Sequence, residues 1–173
     1  MTILKNIIKE ELQIIRESSE GKWANSKYRI IKEASTTAKG NFGENFTNKL
    51  LNSLGVDSEI INGGVGDFDI LVNKSIKLEH KIATEGNKNE NFQFNHIRKD
   101  CFYDYAFCLG VTPDGFKFKI VPKSQCLKLT THMTSPKKSI IKDDSYKLTI
   151  SKKNMIDVTE ENILNELTRI GIV

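Results

Sequence analysis

The sequence predicts an α/β fold: a mixed β-sheet of about five strands flanked by helices, with an N-terminal helical extension. Three observations carry this. Apolar residues recur at helical spacing near both ends of the chain. The middle alternates apolar and polar residues with period two, punctuated by turn residues. The elements also run in the order helix, strands, helix, then two more strands.

The first helix is expected over residues 1–20. Ile3, Leu4, Ile7, Ile8, Leu12, Ile14 and Ile15 form its apolar stripe, with Thr2 as cap. The stripe is wide for a lone surface helix, so it either packs on the domain or meets a second subunit. Gly21-Lys22 breaks the pattern before Trp23. A shorter helix is expected over 26–34, where Arg29 and Lys32 either touch phosphate or form a solvated face. A third runs over 41–54, with Phe42, Phe46, Leu50, Leu51 and Leu54 facing the core and Gly55 ending it. Glu44 sits off the middle of that stripe, where it either reaches the sheet edge or favours the helix dipole in the first turn.

A short strand over 58–62 precedes the stretch that organises the chain. Phe68, Ile70 and Val72 alternate with Asp67, Asp69 and Leu71, Asn73-Lys74-Ser75 carries turn chemistry, and Ile76, Leu78, His80 and Ile82 alternate with Lys77, Glu79 and Lys81. In a strand, Glu79 and Lys81 share one face. If the hairpin pairs Asp69 near Glu79, two carboxylates and one ammonium meet at one point. Asp67 and Asp69 interrupt an apolar strand, where a carboxylate is costly unless paired or bound to metal. Two carboxylates suit Mg²⁺, a hard cation that keeps several waters. A metal-activated water and a nearby lysine are what phosphodiester hydrolysis needs. The plain alternative is a surface hairpin with a charged outer face.

After the hairpin, residues 85–91 read as a polar, mobile loop near the substrate. Phe92-Gln93-Phe94 is a short apolar stretch, with Gln93 either facing the site or lying at a plain strand edge. A short helix is expected to open over 95–100, and for His96 that setting, with Arg98 nearby, favours phosphate contact or packing over general-base chemistry. Residues 103–111 and 116–121 form a hairpin around Thr112-Pro-Asp-Gly115. Residues 130–144 read as a basic loop and 146–150 as a short strand. A closing helix over 159–170 has Thr159 as cap and Glu160 and Glu161 in its first turn.

Composition sets bounds. The chain has 173 residues, enough for one domain or one domain with an extension. No apolar run approaches the roughly 20 residues of a membrane span, and the acidic, helical N-terminus is unlike a signal peptide. Cys101, Cys108 and Cys126 lack metal-ligand spacing and read as buried, reduced thiols of a cytoplasmic protein. Net charge is +4, but residues 116–154 hold ten lysines against two aspartates. That bias suits a phosphate backbone, or equally a solvated lysine-rich surface.

Asp69 followed by Glu79-His80-Lys81 on the next strand resembles the PD-(D/E)XK nuclease superfamily, in particular a small Type II restriction endonuclease. Gly40-Asn-Phe-Gly-Glu-Asn-Phe resembles that fold's first core helix, with Glu44 as supporting glutamate. Phe92-Gln-Phe-Asn-His-Ile-Arg98 and Tyr103-Asp-Tyr-Ala-Phe-Cys-Leu-Gly110 resemble the segments after the lysine. The likeness spans roughly 39–123. No proline precedes the aspartate, and Asp67 competes with Asp69 for its role, with Asp69 preferred because an apolar run follows it. The resemblance implies a restriction-endonuclease-like core over 39–173, with basic loops and a closing helix, after an extension over 1–38. It implies a Mg²⁺-dependent endonuclease, Mn²⁺ substituting, that cuts double-stranded DNA sequence-specifically to 5′-phosphate and 3′-hydroxyl ends. Asp69 and Glu79 would hold metal with a backbone carbonyl near His80. Lys81 would position and help deprotonate the water, and Glu44 would support the metal. Cutting both strands implies a homodimer, with the first helix as candidate dimer surface and residues 130–144 as candidate base readers. A resolvase or nickase of the same fold, and a non-catalytic nucleic-acid-binding module, are the rival readings.

Overall fold

Apolar patterning builds three layers. In the computed structural model, which describes residues 2–61, 66–132 and 145–173, a six-stranded sheet lies between helices on one face and a smaller sheet on the other. The helices and strands run α1 (Thr2–Glu20), α2 (Arg29–Glu33), α3 (Thr36–Ser53), β1 (Ser58–Ile60), β2 (Ile70–Val72), β3 (Ile76–Thr84), β4 (Asn91–Arg98) and β5 (Tyr105–Val111). There follow β6 (Phe116–Pro122), α4 (Lys123–Leu129), β7 (Thr130–His132), β8 (Ser145–Ser151), β9 (Ile156–Asp157) and α5 (Glu160–Arg169).

The main sheet has the order β1-β2-β3-β5-β6-β9. It is mixed, as expected, with one more strand than foreseen: β3 and β5 pair in parallel, from Leu78 opposite Tyr105 to Thr84 opposite Val111, and its other pairs are antiparallel. Parallel neighbours need a crossover. Here the crossover contains β4, which joins β8 and β7 in an antiparallel three-stranded sheet.

Side chains on β5 alternate between the layers. Phe107 and Leu109 pack toward α3 and α5 with Leu51, Ile163 and Leu167. Ala106 and Cys108 pack toward β4 and β8 with Phe92, Phe94, Leu148 and Ile150. A strand covered on both faces reads as an unbroken apolar run, as Tyr105–Val111 does. The three cysteines are free and buried, and burial raises the pKa of each thiol, that of Cys126 to about 11.

Local chemistry fixes the ends of the elements. α3 begins at Thr36, five residues before the expected start, because Ser35 accepts from the Ala38 amide at 3.2 Å. The polar run from Thr36 to Gly40 hides that start from an apolar pattern. At its other end Val56 N–H reaches Leu51 C=O and Gly55 N–H reaches Asn52 C=O, with Gly55 at φ +79°, which is a Schellman cap. α5 closes the same way around Gly171, and Thr159 caps its start by accepting from Asn162 N–H.

Two expectations fail. Residues 95–100 do not open a helix; 95–98 continue β4 across a bulge, and 99–100 follow it as a bend. Register shifts between Phe94 and Ile97, and His96 takes φ +58°. The extra residue returns Ile97 to the buried face shared with Phe92 and Phe94, so a strict period-two reading stops too early. The segment 85–91 is not simply a mobile loop either, because Glu85 is buried and held. Its carboxylate meets Lys22 at 2.5 Å and Lys152 at 3.2 Å, while its carbonyl accepts from the Trp23 indole and from Lys32. These contacts clamp the segment after α1 to the end of β3. The expected basic loop begins as β7, and its remainder, 133–144, lies outside the described residues.

Candidate active site

The site starts from a hairpin of unequal arms. Asn73 and Lys74 both have positive φ, and Ser75 N–H reaches Val72 C=O, a turn whose twist suits a hairpin. β2 pairs with β3 only from Val72 opposite Ile76 to Ile70 opposite Leu78. Beyond Leu78, no strand among the described residues pairs with β3 on this side. The chain leaves the sheet at Asp69, whose backbone N–H still reaches Leu78 C=O and whose side chain accepts from His80 N–H at 2.7 Å. A carboxylate thus takes the place of the missing strand. By the pleat, His80 C=O faces the same edge as its N–H.

Asp69 and Glu79 project from the face opposite Ile70 and Leu78, which pack toward α3. Glu79 is fully buried. Its Oε1 has the Lys81 ammonium at 2.5 Å and its Oε2 has Arg98 Nη2 at 3.9 Å, but neither oxygen accepts a hydrogen bond of good geometry. Burial raises the Glu79 pKa, with Lys81 opposing and Asp69 adding to the rise. Glu44, half-buried on α3, is also raised, first by burial and then by the charge of Asp69. Three carboxylates therefore repel one another across a small space, with Lys81 among them.

His80 plays a different part from its neighbours. It is buried against α3, with Nε2 3.0 Å from Thr47 Oγ1 and its ring stacked 5.8 Å from that of Phe107. Burial and the Lys81 charge push its pKa down to about 3, so it is a neutral packing residue at ordinary pH. Gly43 lets the helix approach this closely: a Cβ there would stand 2.5 Å from His80 Cε1. That approach brings Glu44 to the sheet.

These groups border a cleft of about 640 Å³. Glu44, Asp69 and Lys81 line it; Asp67 does not, and Glu79 lies buried behind Lys81 rather than on the cleft wall. Sequence reasoning missed Thr36, Lys39, Asn91 and Asn95, which also line it. Their signal lay in the start of α3 and the continuation of β4. Gln93 and His96 face the cleft too, both exposed. Arg98 turns toward Glu79 and donates to Gly66 C=O at 3.2 Å.

Among the described residues no group of three or more His, Cys, Asp or Glu side chains is close enough to cage a metal. The donor set that exists is Asp69, Glu79 and the His80 carbonyl, all hard oxygens. Such a set fits a cation that keeps several of its waters, with Asp69 on the cleft and Glu79 buried and paired with the Lys81 ammonium.

No protein-family model matches the chain, and neither does any curated relative. Solved structures do. The bacterial homing endonuclease I-Ssp6803I is 12% identical to this chain, with a TM-score of 0.51 over 80% of this chain and 94% of that one. The fold is restriction-endonuclease-like. A Holliday junction resolvase, Hjc of Archaeoglobus fulgidus, is also 12% identical, with a TM-score of 0.40 over 71% of this chain and 94% of that one. The restriction-endonuclease-like core accounts for the mixed sheet and for α3 packed across β3. No helix among the described residues is long and apolar enough to cross a membrane.

Proposed function

We propose that this chain is a metal-dependent DNA endonuclease whose active site is Asp69, Glu79, Lys81 and Glu44. The observation that supports it best is the convergence of Asp69, Glu79 and Lys81 at the unpaired edge of β3, with Asp69 and Lys81 lining a cleft and Glu79 buried behind Lys81. An ordinary surface hairpin has no reason to bury Glu79 completely with Lys81 as its close partner, since burying a charge pair is costly. The similarly folded bacterial endonuclease adds to this reading.

In this reading Asp69 and Glu79 hold Mg²⁺, or Mn²⁺ in its place, with the His80 carbonyl. When bound, the ion lowers the pKa of a coordinated water and offsets charge on the phosphate under attack. The protein does the rest. The His80 amide fixes Asp69. Lys81 holds the attacking water and the developing charge on the phosphoryl oxygens. Glu44 positions a water at the rim. Water oxygen bonds to phosphorus as the bond to the 3′ oxygen breaks, leaving 5′-phosphate and 3′-hydroxyl ends.

The finer reading is a Type II restriction enzyme: a homodimer cutting double-stranded DNA at a specific sequence. It places a nuclease core at 39–173 after a helical extension at 1–38, with α3 spanning that division from Thr36. The test is purified protein on unmethylated plasmid and phage DNA, with Mg²⁺ and with EDTA. Discrete Mg²⁺-dependent fragments are expected, and none from Glu79→Ala or Lys81→Ala, both of which should still bind DNA. Cleavage retained by either variant defeats the assignment. A smear or simple nicking transfers the site to a repair nickase, and cutting confined to branched DNA transfers it to a resolvase.

A further inference from the structure

Two apolar surfaces of this chain stand open to solvent. On α1, Ile7, Ile8, Leu12 and Ile14 are each about half exposed or more. Glu11, four residues after Ile7 and three before Ile14, shares their stripe. The second surface is a groove of about 510 Å³ formed by α2, the first half of α3 and β6. Its floor is aromatic: Tyr28 meets Phe116 edge-on at 4.9 Å, and Phe42, Phe46 and Phe116 form a three-ring cluster with centroids 4.9, 5.8 and 6.1 Å apart. Ile30 at its lip is 75% exposed, and Lys27 and Lys39 border it.

We propose that α1 of one copy seats in this groove of a second copy, and the reverse, so that the chain is a homodimer joined by exchanged helices. An amphipathic helix in an apolar groove is a common mode of recognition, anchored by residues one or two turns apart. Ile7 and Ile14 lie two turns apart on one stripe. The charges fit as well. Glu11 would be covered on docking, which is costly for a lone carboxylate, and the groove offers Lys27 and Lys39 at its border. Both halves of the contact are encoded in one chain, so a two-fold pairing forms it twice. The inference rests on these surfaces and not on the nuclease reading, although it supplies the joint that reading requires.

The test is light scattering on the full-length protein during gel filtration, without DNA or metal, so its outcome is independent of cleavage. The wild type is expected to be a dimer. Ile7→Glu/Leu12→Glu damages the helix and Ile30→Glu damages the groove lip; each should give a monomer with unchanged circular dichroism, since all three side chains are exposed. An equimolar mixture of the two variants retains one intact helix–groove contact and should recover dimers, at least tenfold weaker than wild type. A monomeric wild type overturns the proposal. So does a dimer that survives Ile30→Glu, because the helices would then be pairing with each other.

Discussion

Gly43→Ala tests the contact that carries Glu44 to the sheet. The new Cβ would stand 2.5 Å from His80 Cε1 and 3.2 Å from both His80 Nδ1 and Ile82 Cβ. The ring has little room to retreat, since Thr47 holds its Nε2 and Phe107 stacks on it. Either α3 backs away from β3 or the histidine leaves its hydrogen bond. Overpacking of this kind costs about 1–3 kcal/mol, and a lost buried hydrogen bond adds about 1 kcal/mol. Replacing glycine by alanine within a helix returns about 1 kcal/mol. The net expectation is a loss of about 1–3 kcal/mol, read from urea unfolding at constant m-value. Gly40→Ala on the same helix is the control. Its Cβ meets nothing within 4 Å, so it should be stabilising by about 0.5–1 kcal/mol. Because His80 also donates its amide to Asp69, Gly43→Ala should impair cleavage as well. If Gly43→Ala is as stable as Gly40→Ala, the close approach of α3 to β3 is wrong, and with it the account of why Glu44 reaches the site.

Other outcomes follow from the same geometry. His80 should stay neutral far into acid: with a native pKa of about 3 against 6.5 when unfolded, it withholds a proton that the unfolded chain takes up. Its contribution is intact above pH 6.5 and is lost as pH falls toward 3, about 2 kcal/mol of it by pH 5. NMR titration should show no His80 protonation between pH 8 and 5; an ordinary titration near 6.5 would refute the packing role. Asp69→Asn should abolish Mg²⁺-dependent cutting while Asp67→Asn keeps most of it, and the reverse result would exchange their roles. Mg²⁺ should raise the wild-type melting temperature by relieving carboxylate repulsion, and should do nothing for Glu79→Gln. Glu85→Gln should cost about 1–3 kcal/mol, below the range for a fully buried pair because the lysines are partly exposed. Trp23 is the single tryptophan, so a red shift of its emission would report release of the clamp; unchanged emission and stability would deny the clamp.

The hairpin was legible because its two requirements are local: strand alternation on either side of Asn73-Lys74, and carboxylates placed where an apolar strand should continue. Asp69, Glu79 and Lys81 meet as that pattern implied. Glu44 was legible less directly, since its approach depends on Gly43 lying over a histidine 37 positions later. What escaped was set by longer-range or irregular geometry. The bulge at His96 shifts the phase of β4, so Ile97 looked misplaced for a strand. β7 has three residues and too few apolar positions to stand out. Glu85 looked like the start of a solvated loop, because Lys22 is 63 residues earlier and Lys152 is 67 later; no local pattern brings them together.

The short reach of β2 has a cost beyond chemistry. A strand edge with free N–H and C=O groups invites another strand to add to it, a common route to self-association. Here Asp69 occupies the first open position by accepting from His80 N–H, and like charges nearby discourage an incoming chain. The residue proposed to hold the metal therefore also works as a gatekeeper. Exchanging it for alanine would remove a ligand and unblock the edge together, so an Asp69→Ala protein should tend to aggregate where Asp69→Asn, which can still accept the hydrogen bond, stays dispersed.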